Sequence, residues 1–227
     1  MLRRSVTALA LGLTLVSAPA FADKKAKEPA AAPAAPAPSA VVDMDQTKDT
    51  DNILALDLSN GGRVLVRLMP TWAPNHVDRI KTLTREGFYN GVVFHRVIDG
   101  FMAQTGDPTG TGQGGSKLPD LKAEFNAMPH LRGTISMART SEPDSANSQF
   151  FIVFYPRFAL DHKYTNFGRV IAGMDVVDAI QRGEPPAAPT KIVQASLLSD
   201  NKPRPAAPAP AATPDISADA LSNSKSS

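Results

Sequence analysis

Over "NILALDLSNGGRVLVRLMP", Asn52 to Pro70, two segments of alternating apolar and polar character flank Asn60-Gly61-Gly62. That pattern predicts two strands joined as a hairpin. In the following "TWAPNHVDRIKTLTREGFY", Val77, Ile80 and Leu83 fall near helical spacing. A helix is expected there, with Thr71 or a neighbour as N-cap, Pro74 in the first turn and Gly87 near its end. Downstream, "VVFHRVI", "GTISMAR", "SQFFIVF", "NFGRVI" and "KIVQASLL" suit buried or half-buried strands, and "GMDVVDAIQRG" suits a second short helix. Many strands separated by turn signals, with only two helices, point to a closed antiparallel barrel or a sandwich.

The two ends follow different rules. Arg3 and Arg4 precede an apolar run from Leu9 to Val16, which closes in "SAPAFA". This order of charged, apolar and small residues is that of a secretory signal peptide cleaved after Ala22, and "LRRS" also permits a twin-arginine route. The run is far shorter than the roughly 20 residues of a membrane-spanning helix. Alanine- and proline-rich stretches follow the leader and close the chain, and they hold too little apolar surface to offset chain entropy. The expected organisation is a signal peptide at 1–22, a disordered linker at 23–47, one folded domain at 48–200 and a disordered tail at 201–227.

Composition narrows the chemistry. Cysteine is absent, which in an exported protein leaves no disulfide and no lipid-bearing cysteine. The formal charge is +2 with its lysines and arginines scattered, so nucleic acid is not an expected partner. The glycines of "GTGQGG", Gly110, Gly112 and Gly115, match a dinucleotide fingerprint. They follow Asp107-Pro108 and lead into Ser116-Lys117-Leu118-Pro119, whereas a fingerprint follows a strand and opens a helix, so a loop is expected. There is no G-x-S-x-G elbow, and His76, His95, His130 and His162 show no ligand spacing; no metal or cofactor is expected.

One stretch departs from core patterning. "FHRVIDGFMAQTGD", Phe94 to Asp107, sets Arg96 and Gln104 among large apolar residues with Gly100 and Gly106 to bend the backbone. Polar groups in apolar surroundings are costly unless paired, so the stretch reads as a pocket wall. Strand alternation turns His95 to the opposite face from Arg96, which favours a packing or hydrogen-bonding role for that ring over a base.

Together "FHRVIDGFMAQTGD", "GTISMAR", "ANSQFFIVF" and "LDHKYTNFGRV" resemble, in order and approximate spacing, the cyclophilin family of peptidyl-prolyl cis/trans isomerases. The resemblance spans about Asn52 to Asp200. It implies a mainly β fold: an eight-stranded antiparallel closed barrel capped by two α-helices, with a proline-binding groove on its outer face. It implies Arg96 as the catalytic arginine and Gln104 as the polar group on the substrate backbone. Phe101, Met102, Phe151 and Leu160 match the proline pocket, Ala138 and Arg139 the edge that pairs with the peptide, and Gln149 the "SQFF" motif. His95 matches a supporting histidine. Ala159 stands where many eukaryotic members carry tryptophan, which weakens the case for tight cyclosporin binding, and Tyr164 stands where they carry histidine.

Such an enzyme needs neither nucleophile nor cofactor. Rotation about an X-Pro bond is opposed by amide resonance, with a barrier of about 18 to 20 kcal/mol. A twisted amide has a localised nitrogen lone pair, to which an arginine can donate more strongly than to either planar form. The expected partners are proline-containing peptides and unfolded exported proteins, with no membrane span. The expected state is a monomer in the periplasm, or outside the cell where there is no outer membrane. The alternative is a proline-peptide-binding module or chaperone in which catalysis is incidental.

Overall fold

The computed structural model describes residues 39–206; the expected signal peptide, the expected linker up to residue 38 and the expected tail from 207 lie outside them. Alternation at the start of the domain becomes a hairpin of β1 (Ile53–Leu58) and β2 (Arg63–Leu68), paired antiparallel from Ile53–Arg67 to Asp57–Arg63. Gly61 takes φ +88 in the connecting turn, a conformation glycine adopts without steric cost. The helix α1 runs over Pro74–Arg85 and buries Val77, Ile80 and Leu83. Thr71 does not cap it. The carboxylate of Glu124, from a distant segment, instead accepts the amides of Asn75 and His76 at 3.1 Å each, where the helix dipole favours negative charge.

The remaining strands are β3 (Arg96–Ile98), β4 (Met102–Thr105), β5 (Thr134–Met137), β6 (Phe150–Val153), β7 (Asn166–Ala172) and β8 (Ile192–Leu197), with α2 at Met174–Asp178 between the last two. All eight form one antiparallel sheet in the order β3-β4-β6-β5-β7-β2-β1-β8. The expected closed barrel is corrected here to a curled half-barrel. Among the described residues the terminal strands β3 and β8 share no ladder, and this seam is crossed by isolated bridges at Val93–Lys191 and Val97–Gly183 and by single backbone bonds such as Phe94 N–H to Thr190 O at 2.9 Å. Two features keep it open: β3 has three residues, and the segment before β8 carries Pro185, Pro186 and Pro189, which have no N–H to donate.

The concave side holds the core, with Leu54, Leu56, Val64, Val66, Phe94, Phe150, Ile152 and Phe167 fully buried. The convex side of the hairpin is covered as well. Val42 and Leu198 pack on Ile53, Ala55, Leu65 and Ile171, so β1 is buried on both faces. Residues 39–47, assigned to the linker on composition, thus form an arm on the sheet. Arg67, 2% exposed, pins it by donating to the carbonyls of Asp43, Asp45, Lys48 and Asp49 at 2.5–3.1 Å, and Trp72 Nε1 donates to Ser39 O at 2.9 Å. At the other end Arg204 donates to Gly61 O at 2.8 Å, which lays the first residues of the expected tail along the hairpin.

Candidate active site

Register builds the site. Arg96 on β3 lies directly opposite Gln104 on β4, and Gln104 lies opposite Phe151 on β6. Ile98, Met102 and Val153 form a second row two residues along. Because side chains alternate, both rows share the convex face, while Val97, Ala103, Phe150 and Ile152 turn into the core. Strand β4 was legible only as a pocket wall, not as a strand, and it is what joins the two polar residues.

Loops wall this floor into a groove of about 810 Å3. Phe101, Met102, Phe151, Leu160 and Tyr164 give it an apolar end, with Phe151 and Tyr164 edge to face at 5.8 Å. Arg96, Gln104, His95, Ala138 and Arg139 also line it. Ten of the eleven residues expected at the site therefore meet there. The eleventh, Gln149, lies beside it in an adjoining cavity of about 460 Å3 that shares Gln104, Ala138 and Arg139.

Polar contacts hold the arrangement. Gln104 Nε2 donates to Gln149 Oε1 at 2.9 Å, and Gln149 Nε2 donates to the carbonyls of Gly112 and Gly114 at 3.1 and 2.8 Å. Arg96 Nη1 faces Gln104 Oε1 at 3.5 Å, while Arg96 Nε donates to Glu184 Oε2 at 2.7 Å. Ala138 N–H is already given to Gln149 O. Among the described residues the Ala138 carbonyl and Arg139 N–H are left as edge groups for a peptide. The Arg139 side chain is spent on structure: it donates to Lys163 O, Thr140 O and Ser141 O and lies 4.6 Å over the Tyr164 ring.

His95 is 5% exposed and neither ring nitrogen has a hydrogen-bond partner. Burial lowers its pKa, with Arg96 adding to the effect and Asp107 opposing it, so the ring is a neutral packing group at the groove's edge. Alternation does turn it to the core side, yet it still borders the groove under Gly112.

The glycine loop after β4 is organised around a carboxylate of its own. Asp107, fully buried, accepts the amides of Thr109, Thr111, Gly112 and Gly114 at 2.7–3.1 Å and the Thr109 hydroxyl at 2.8 Å. The loop amides that a phosphate would require are already used. Burial alone would raise the Asp107 pKa, but the bonds from Thr109, Gly114 and Gly112 outweigh it and hold the group at about 2. Gly110 to Gln113 of this loop line the groove, as do Glu184 and Pro185; the sequence marks Gly110 and Gly112 only as a loop, and none of these residues was expected at the site. Glu184-Pro185 sits in "GEPPAAP", a stretch with no periodicity, and only its lone carboxylate could have marked it.

Comparison with known proteins gives a consistent result. Residues 53–197 match the family model described as cyclophilin type peptidyl-prolyl cis-trans isomerase/CLD. A probable peptidyl-prolyl cis-trans isomerase of Brucella suis is 47% identical over 170 residues, covering 68% of this chain and 86% of the relative. A peptidyl-prolyl cis-trans isomerase-like 1 of Aspergillus niger is 40% identical over 156 residues, covering 65% and 95%. Among solved structures, a cyclophilin of Hirschia baltica superposes with a TM-score of 0.63 at 32% identity, over 68% of this chain and 77% of its own. A Cryptosporidium parvum cyclophilin crystallised in the presence of the dipeptide Ala-Pro gives 0.60 at 28% identity, over 64% and 98%.

Proposed function

This chain belongs to the cyclophilin-type peptidyl-prolyl cis-trans isomerases, and from that premise we propose that Arg96 is its catalytic donor and that it serves the folding of exported proteins. The observation that carries the first part is the register Arg96–Gln104–Phe151. It sets a guanidinium beside the apolar end of the groove formed by Phe101, Met102, Phe151 and Leu160. The Ala-Pro dipeptide of the Cryptosporidium relative is the kind of ligand this groove would take.

A bound peptide would place its proline against Phe101, Met102, Phe151 and Leu160, with Gln104 and the edge at Ala138 and Arg139 holding the backbone. As the amide twists, the prolyl nitrogen lone pair localises and Arg96 donates to it. The planar ground states cannot accept that bond, so the interaction lowers the barrier rather than only the dissociation constant. Arginine suits the task better than lysine, because its planar fork stays charged and can hold a neighbouring carbonyl as well. One charge-assisted hydrogen bond is worth about 1.5 to 3 kcal/mol, whereas a hundred-thousandfold acceleration requires roughly 7 kcal/mol. The balance is assigned to the apolar grip and the backbone contacts, which favour the rotated geometry.

The reading as an exported enzyme, acting in the periplasm or outside the cell, rests on the leader-like order of Arg3, Arg4, Leu9 to Val16 and Ala20 to Ala22; that it acts as a monomer is part of the same proposal. No helix among the described residues is long and apolar enough to cross a membrane. A second reading, a proline-binding chaperone, draws on the exposed rings of Tyr155 and Phe158 outside the groove. Isomerisation of a proline peptide by mature protein and by Arg96→Ala separates them. A fall of about a hundredfold with the fold intact supports the catalytic role, as for other preorganised donors. Unchanged turnover in folded Arg96→Ala defeats it.

A further inference from the structure

Charge along the groove is uneven in a way the apolar pocket does not explain. The adjoining cavity extends the groove past Gln104 and Ala138, so Arg96 has one neighbourhood on that side and another on the side of Glu184 and Pro185, which border only the main groove. On that second side the Glu184 side chain is half-exposed. One oxygen is bound to Arg96 Nε at 2.7 Å, and among the described residues the other accepts no hydrogen bond. Arg182, two residues before Glu184, is not among the residues lining the groove. It donates to Asp99 and to the carbonyls of Asp178 and Ile180 and lies 4.2 Å over the Phe154 ring.

We propose that Glu184 is a specificity-determining residue, through which the groove favours X-Pro peptides that carry a basic side chain on the flank lying beyond Arg96 and disfavours those with an acidic one there. The inference rests on the isomerase reading and deepens it by naming a substrate class. A peptide whose X-Pro bond lies at Arg96 has one flank in the adjoining cavity and the other across Glu184. A lysine or arginine on that second flank meets a carboxylate with a free acceptor, and a glutamate meets like charge. Glu184 does not compete with the peptide for the donors that catalysis needs, because it takes Nε and leaves the Nη edge of Arg96 toward Gln104 and the pocket.

The test is kcat/KM, read by NMR exchange so that no coupling protease adds its own preference, on proline peptides with Lys, Ala or Glu placed in turn on each side of the X-Pro unit. Wild type is expected to prefer Lys over Glu on one flank only, by about fivefold, equivalent to about 1 kcal/mol and the upper end for an exposed ion pair. The ratio should fall toward one in Glu184→Gln, and also in wild type near 1 M salt, where the screening length is about 3 Å. Equal turnover of Lys and Glu peptides by wild type on both flanks overturns the inference, as does a ratio that Glu184→Gln leaves unchanged. Both outcomes leave the isomerase reading standing. Failure of wild type to turn over even the Ala peptides overturns that reading and this inference with it.

Discussion

Gln104 on β4 and Gln149, the residue just before β6, are joined side chain to side chain, with Gln104 Nε2 donating to Gln149 Oε1 at 2.9 Å. Gln149 has only one way to satisfy both sides. Its Nε2 is committed to the carbonyls of Gly112 and Gly114, so its oxygen must point to Gln104. Gln104 in turn presents its own oxygen to Arg96. The orientation of each carboxamide is therefore set from the glycine loop inward, and the loop is set by Asp107.

Breaking this relay at Gln149 should cost activity without unfolding the protein. Gln149→Leu removes the donor to the loop and the acceptor for Gln104, leaving Gln104 free to turn its amide. We expect kcat/KM to fall about tenfold, the equivalent of one net hydrogen bond of roughly 1.4 kcal/mol, with little change in thermal midpoint. Gln149→Glu should be no better, since a carboxylate accepts from Gln104 but repels the two loop carbonyls. Unchanged kcat/KM in both variants would mean that Gln104 keeps its orientation without help.

Asp107 should couple the loop to stability at acid pH. Its folded pKa of about 2 lies below the ordinary 3.8, so the group binds its proton more readily in the unfolded chain. Its contribution is complete above about pH 4 and is lost as pH falls toward 2, amounting to roughly 2 kcal/mol. Asp107→Ala should destabilise the protein at neutral pH by about 1 to 3 kcal/mol through the unpaired amides left behind. It should also flatten the dependence below pH 4, as read by urea unfolding across pH. Gly114→Ala should act on the same loop, because a Cβ there would overlap the Asp107 carboxylate. A wild-type curve that is already flat below pH 4 would remove Asp107 from this role.

What could be read ahead of the structure follows from how local each signal was. The hairpin at Asn60-Gly61-Gly62, α1 with Val77, Ile80 and Leu83, and the strands holding Phe150 and Phe167 are specified by nearby residues, and each lies where its pattern put it. Ten of the residues expected at the site line one groove because the motifs around Arg96, Phe151 and Leu160 that suggested them are themselves contiguous. The misses are long-range. Glu124 caps a helix that starts 50 residues earlier in the chain, Arg67 reaches back to carbonyls on the arm, and Glu184 meets Arg96 from 88 residues away. Barrel closure was misjudged for a related reason: strand count was legible, but the proline-rich seam between β3 and β8 was not.

The arm itself offers a test. Arg67 is buried with its donors on four backbone carbonyls, and replacing it removes the hydrogen bonds that tie those carbonyls to the sheet. Arg67→Met keeps much of the apolar stem but loses the fork, and it should release residues 39–49. Limited proteolysis should then cut within this segment in the variant before wild type is touched, while peptide turnover stays within about twofold, since no groove residue contacts the arm. Equal protection in both proteins would show that Val42 and Trp72 hold the arm without Arg67.

The buried histidines set the behaviour between neutral pH and the window of Asp107. Burial is the largest influence on His76, His95 and His130, and it lowers the pKa of each. A histidine with a lowered folded value protonates first in the unfolded chain, so its contribution to stability is complete above about pH 6.5 and declines as pH falls below that. The opposing pull is real: His76 Nδ1 is 2.6 Å from Glu124 and His130 Nδ1 is 2.8 Å from Asp161. His76 Nε2 and both nitrogens of His95 nevertheless have no partner, so a proton added there would be buried without an acceptor. His130 contributes least, because its Nε2 meets Ser136 Oγ at 3.1 Å. Unfolding free energy should therefore fall from pH 7 toward pH 5 with a slope of up to about 1.4 kcal/mol per pH unit for each histidine involved. His95→Gln should remove one such share of the slope. A stability that instead rises toward pH 5 would mean that Glu124 and Asp161 outweigh burial, and that His76 and His130 are charged in the folded protein.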